Sequence, residues 1–303
     1  MTALRRHDSP GISWRPSPAC DQAEDAPEAS VAEHEAVLPI HSVTSGEGTP
    51  VVLIHGAFTT HCDWPPAMTG PAAKLGRVIA IDRPGHGKSP RRRYDSDARA
   101  QAAQIRDGLG LEQPALLVAH SFGALTALAY AEQYPDEVAA MLLIAPVCFP
   151  EWRMEQLFLG PRAMPIAGPR ISRAANMTVD AGYLALIQDQ MFAPQPVPPA
   201  WRASHPLEAL LAPDRFVREG EDSWASSPLS FGAYRRARPS LPLTIMQGEA
   251  DHIIVNGWHA LLLKWFAPDI RLVWMKGVGH MAHYAEPARV VAEIARLVGA
   301  RTR

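Results

Sequence analysis

Six short apolar runs recur along the chain: VVLI (51–54), VIAI (78–81), ALLVA (115–119), MLLIA (141–145), LTIM (243–246) and LVWM (272–275). A continuous apolar run of this length has the pattern of a strand buried on both faces. When such runs are separated by helical patterns or long connections, the strands pair mainly in parallel, because each must cross over before returning to the sheet. The expected fold class is therefore α/β, a mostly parallel central sheet with helices on both faces. Val37 to Val43 is expected to add an antiparallel strand at the front. The rhythm breaks once. Between Pro150 and Pro242 there is no strand-like run, thirteen of the 29 prolines fall there, and short helical patterns such as Ala181 to Phe192 and Pro206 to Glu219 take over. This predicts a helical cap over 150–240, dividing one core into a first part, 35–149, and a second, 241–303. Residues 1–34 carry Arg5 and Arg6 but no apolar stretch behind them, and read as a flexible leader rather than a signal peptide.

Active sites on open parallel sheets form beyond the carboxyl ends of the strands, so each run matters most where it stops. The run ending at Ala119 leads through His120, Ser121 and Phe122 into a helical pattern that Pro135 halts. A turn that sharp strains its central residue and crowds the positions two places to either side, where Ala119 and Gly123 are small. It would project the Ser121 hydroxyl from the sheet with a helix N-terminus behind it. The first run ends in His55-Gly56-Ala57-Phe58, where Gly56 lets the Ala57 N–H turn toward a developing oxyanion. Later runs place Asp251 after Gly248 and His280 in a Gly-containing loop. A serine hydroxyl needs an imidazole to take its proton and a carboxylate to fix the imidazole tautomer, and the chain offers Ser121, Asp251 and His280 in that order.

Other readings of these stretches are weaker. GHGKS suggests a phosphate loop, but a Walker motif needs glycine where the chain has Asp82. Asp82, Gly85 and Gly87 read instead as parts of a tight loop, and Arg91 to Arg93 as a solvated patch. His280 and His283 lack the H-E-x-x-H arrangement, and no third ligand is grouped with them, so no metal is expected. A net charge of −2 gives no electrostatic reason to expect nucleic acid or acidic lipid. No stretch reaches the length of a membrane span. Cys20, Cys62 and Cys148 are odd in number and widely spaced, which argues against a disulfide framework and fits a cytoplasmic location.

From about Val37 to Gly299 the chain resembles a capped member of the α/β-hydrolase superfamily, with H-G-A-F, D-R-P-G-H-G-K-S, A-H-S-F-G, G-E-A-D and G-V-G-H in family order. The usual elbow is G-x-S-x-G; Ala119 departs from it, as in some lipases of the superfamily. The resemblance implies a serine hydrolase acting by two-step acyl transfer with no cofactor. Ser121 would be the nucleophile, His280 the base and Asp251 the acid, with the N–H groups of Ala57 and Phe122 forming an oxyanion hole. Glu151 is the alternative acid, and His283 an alternative base. Phe58, Tyr183, Ile187, Met191, Phe192 and Trp224, with Met177, Leu184 and Trp201, supply apolar surface for a small to medium substrate. The same scaffold serves esterases, lactonases, C–C bond hydrolases, perhydrolases, acyltransferases and ligand receptors, and the fold does not choose among them.

Overall fold

The computed structural model describes residues 37–149, 154–225, 241–254 and 257–300. The expected leader and Glu151 lie outside them. Among the described residues seven strands form one sheet: β1 Ser42–Ser45, β2 Pro50–Ile54, β3 Arg77–Ile81, β4 Ala115–His120, β5 Val138–Ile144, β6 Leu243–Gly248 and β7 Arg271–Met275. Their order is β1-β3-β2-β4-β5-β6-β7. Only β1 runs antiparallel, pairing Ser42 with Ile81 and Ser45 with Val78. The front strand thus begins five residues after the expected start at Val37. Leu38 and Ile40 are buried without joining the sheet, and the pairing falls to the polar segment SVTS.

Alternation along the strands feeds two cores. Val52, Ile54, Ile79, Ile81, Leu117, Ala119 and Leu143 face one side, where α2 (Ala98–Leu109) and α3 (Gly123–Gln133) pack. Val51, Leu53, Val78, Ala80, Leu116, Val118 and Leu142 face the other, against α1 (Pro66–Ala72) and the helix Pro287–Gly299. Local chemistry sets the helix ends. Asp97 caps α2 by accepting from the N–H groups of Arg99 and Ala100, and Gly110 closes it in the left-handed region at φ 53°, a cap worth about 1 kcal/mol.

Between β5 and β6 the described residues form helices and no strand: α4 Met154–Leu159, α5 Ala167–Ala175, α6 Ala181–Phe192, α7 Pro199–Ser204, α8 Leu207–Leu210 and α9 Pro213–Ala225. Two apolar clusters tie these helices to the sheet. Phe58 packs with Leu159, Leu184, Leu210, Leu211 and Phe216; Met281 packs with Met191, Phe192 and Trp201. No helix among the described residues is long and apolar enough to cross a membrane.

Two loop expectations meet different outcomes. Asp82 does organise its loop, accepting from the N–H groups of His61 at 2.8 Å and Lys88 at 3.0 Å and from the rings of His41 and His61. Gly87, at φ 53°, is required there because a Cβ would sit 2.4 Å from the Asp82 carboxylate. Arg91, by contrast, is fully buried and ion-paired with Asp222 and, at 2.9 Å, with Glu221. A run of arginines reads as solvated unless acids lie opposite, and these acids sit 130 residues away on α9. Cys62 is also disulfide-bonded, whereas Cys148 is free and buried. The expectation of reduced thiols fails at Cys62, and with it the cysteine argument for a cytoplasmic location.

Candidate active site

Ser121 stands between the end of β4 and the start of α3 at φ 50°, a left-handed conformation rare outside glycine. The neighbouring strand holds it there: Ser121 N donates to Ile144 O at 2.9 Å, and Ser121 O accepts from Val147 and Ala124 at 3.1 Å. Such a residue stores about 1–3 kcal/mol that the surrounding packing must offset. Gly123 allows the turn to close, since a Cβ there would approach the carbonyl oxygens of Ile54 and His55 to 2.6 Å. Ala119, on the other flank, is fully buried and carries the tolerated methyl.

Asp251 and His280 come from the loops after β6 and β7. His280 Nδ1 lies 2.8 Å from Asp251 Oδ2. The other carboxylate oxygen accepts from the N–H groups of Ile253 and Ile254, both at 2.8 Å. Burial pushes the Asp251 carboxyl up, but His280 and these two N–H groups outweigh it and hold the group below its ordinary value. An ionised carboxylate only accepts hydrogen bonds, so His280 Nδ1 must carry a proton, and in the neutral ring it is Nε2 that offers a lone pair. Ser121 and His280 line one cavity together with Ala57, Phe58 and Phe122. Among the described residues the Ser121 hydroxyl makes no hydrogen bond, a looseness common in ligand-free sites. The N–H groups of Ala57 and Phe122 are likewise uncommitted.

The cavity also gathers Leu159, Tyr183, Ile187, Met191, Val147, Phe149 and Ile253. Of the apolar residues expected to serve a substrate, Phe58, Tyr183, Ile187 and Met191 are therefore at its wall. Phe192 and Trp201 are buried behind it, ring against ring at 5.2 Å. Leu184 sits in the cluster around Phe58. Trp224 is 79% exposed and lines a separate surface groove with Tyr94, Leu157 and Met164. The Met177 side chain lies outside the described set.

Beneath the His280 ring, His120 and His283 converge on Asp63, each with a ring nitrogen 3.6 Å from Asp63 Oδ2. Asp63 Oδ1 accepts from Trp201 Nε1 at 3.1 Å, and the Asp63 carbonyl accepts from His283 Nε2 at 3.1 Å. His283 is thus committed to Asp63 and lies behind the cavity wall. Among the described residues three sets bring metal-ligating atoms within 4.8 Å of one another: His41, His61 and Asp82; Asp63, His120 and His283; His86, Glu219 and Asp222. The last faces the guanidinium of Arg83, 2.8 Å from Asp222 Oδ2, a poor neighbourhood for a cation.

A sequence profile described as the alpha/beta hydrolase family matches residues 51–293. The chain belongs to the alpha/beta hydrolase family. It is 26% identical over 272 residues to an uncharacterized protein of Mycobacterium tuberculosis, covering 84% of this chain and 76% of that protein. A 2-hydroxy-6-oxo-6-phenylhexa-2,4-dienoate hydrolase of Comamonas testosteroni is 36% identical over 115 residues, 35% of this chain and 40% of that enzyme. A thermophilic esterase of Thermogutta terrifontis superposes with a TM-score of 0.68 at 20% identity, covering 86% of this chain and 93% of its own. At that identity the superposition speaks to the alpha/beta hydrolase fold alone.

One set of cavity residues escaped the sequence reading. Glu219 and Asp222, both buried on α9, reach the wall beside Phe58. Asp222 accepts from Arg83 at 2.8 Å and His86 at 2.9 Å and is paired with Arg91. Burial lifts the Glu219 carboxyl to about 7, against the pull of Arg83 and with a further push from Asp222. The available signal was the spacing: Arg215, Glu219 and Asp222 repeat at four and three residues and share one helical face.

Proposed function

We propose that this hydrolase is a serine hydrolase that cleaves an ester, lactone or similar acyl bond of a small to medium, largely apolar substrate through an acyl-enzyme on Ser121. The observation carrying the reading is a serine in strained left-handed geometry sharing a cavity with a histidine that an ionised Asp251 holds in one tautomer. His280 Nε2 takes the Ser121 proton as Oγ attacks the carbonyl carbon. The Ala57 and Phe122 N–H groups receive the oxyanion, and the protonated His280 returns the proton to the leaving alcohol. Water activated by the same imidazole then attacks the acyl-enzyme, releasing the acid and restoring Ser121. The helices between β5 and β6 act as a cap, roofing the cavity with Leu159, Tyr183, Ile187 and Met191. The mechanism calls for no metal or cofactor, and the partner it requires is the small-molecule substrate.

The name of the Comamonas relative keeps hydrolysis of a carbon–carbon bond as the second reading. A panel of p-nitrophenyl esters, lactones and vinylogous diketones separates the two. The expected result is ester turnover, faster for acetate, butyrate and octanoate than for palmitate, because the capped cavity closes round a short chain. Turnover of the diketones with inert esters would replace the first reading by the second.

A further inference from the structure

Two adjacent peptide units of the loop that follows β2 are fixed, the first by His55 and by an Arg83 that α9 holds, the second directly from α9. The Gly56 carbonyl accepts from His55 Nδ1 at 2.8 Å and from Arg83 Nη2 at 3.2 Å. His55 Nε2 meanwhile accepts from the Arg83 N–H at 2.9 Å, which leaves the ring proton on Nδ1 for that carbonyl. In a trans peptide the C=O and the following N–H point in opposite directions, so anchoring the Gly56 oxygen aims the Ala57 N–H the other way. Arg83 in turn is held from α9, donating to Asp222 Oδ2 at 2.8 Å, and from α2, donating to Gln101 at 3.0 Å.

The next peptide is fixed by Glu219. Phe58 adopts φ 55°, costly for a bulky residue, and its N–H donates to Glu219 Oε1 at 2.6 Å. The Phe58 ring is wedged against Phe216 and Tyr183, from α9 and α6, at centroid distances of 5.4 and 6.0 Å. Among the described residues no other group accepts that N–H, so without the carboxylate the Ala57–Phe58 peptide loses the bond that holds it in the left-handed turn.

We propose that Glu219 is a positioning residue for transition-state stabilisation: from the helical insertion it locks Phe58 in its strained conformation and so steadies the adjacent Ala57 N–H toward the oxyanion that forms when Ser121 attacks. This rests on the reading of Ser121 as nucleophile and Ala57 as oxyanion donor. It makes the insertion part of the catalytic apparatus as well as a roof.

The test compares Glu219→Gln and Glu219→Leu with wild type in steady-state hydrolysis of p-nitrophenyl butyrate, alongside Ser121→Ala. Loss of a whole oxyanion donor costs about 10²–10³ in turnover, so a misaimed one in Glu219→Leu is expected to lower kcat roughly ten- to hundredfold with KM little changed. Affinity for a boronic acid transition-state analogue should fall in parallel, whereas affinity for the product butyrate should not. Glu219→Gln keeps a carbonyl acceptor and should recover most of kcat. Hydrogen exchange on the wild-type protein gives a second measurement should the leucine variant not fold: the Phe58 amide is expected to exchange slowly. A folded Glu219→Leu with wild-type kcat and boronate affinity, a loss carried entirely by KM, or a Phe58 amide exchanging at the open-chain rate would each overturn the proposal. If Ser121→Ala itself stays active, the nucleophile reading fails instead, and the two failures are distinguishable.

Discussion

Ser121→Ala is expected to lower kcat for ester hydrolysis by roughly 10⁴–10⁶, the scale of serine removal from other Ser-His-Asp sites, while the thermal unfolding midpoint moves by only a few degrees. The two halves of this result have separate causes. In the proposed mechanism the hydroxyl is the atom that attacks, so no neighbour can replace it. Its structural contribution is small, because it makes no hydrogen bond among the described residues. The strain at φ 50° belongs to the backbone and is the same for alanine. Steady-state kinetics with calorimetry on the purified variant check both. Retention of most activity would remove Ser121 from the mechanism.

The second large effect belongs to Asp251→Asn, expected to cost about 10⁴ in kcat, as the equivalent change does in a well-studied triad. The hydrogen bonds around the group give the reason. One oxygen accepts from the Ile253 and Ile254 N–H groups at 2.8 Å, so the asparagine carbonyl must take that place. Its amide NH₂ then faces His280 Nδ1, where the carboxylate oxygen stood at 2.8 Å. Donor facing donor forces Nδ1 to give up its proton, and the proton moves to Nε2, the nitrogen that must receive the Ser121 hydrogen. Glu151→Gln should change kcat little. A reversal of the two outcomes would place the acid after β5.

Much of the fold was legible because burial on both faces leaves an unmistakable mark: β2, β4 and β5 each carry an unbroken apolar run. The misplacement of β1 follows from the same rule. An edge strand needs one neighbour and no second apolar face, so Ser42–Ser45 pairs with β3 through its backbone while the apolar Leu38 and Ile40 pack beside the sheet. The candidate site residues at strand ends stood out in the sequence because the turn that presents them demands small neighbours. Residues contributed by the insertion were not. Glu219, Asp222 and Arg91 look like solvent-facing charge in sequence, and only tertiary contact across more than 120 residues makes them a buried network. Trp224 errs the other way: an aromatic on an amphipathic helix suggests a wall, yet it faces solvent. Helical period tells which residues share a face but not which face meets the cavity.

The central claim is that Ser121 is an activated nucleophile, a property that a receptor using the same scaffold need not have. A small organophosphate at pH 8 tests it directly, because phosphorylation requires an accessible hydroxyl, a base to take its proton and donors for the phosphoryl oxygen. Mass spectrometry of the intact chain and of the peptide spanning Leu116 to Tyr134 reads the outcome. The account predicts one adduct per chain, on Ser121, with ester turnover lost in proportion, and none in the unfolded protein. No adduct with the native protein, or adducts spread over several serines, would contradict it.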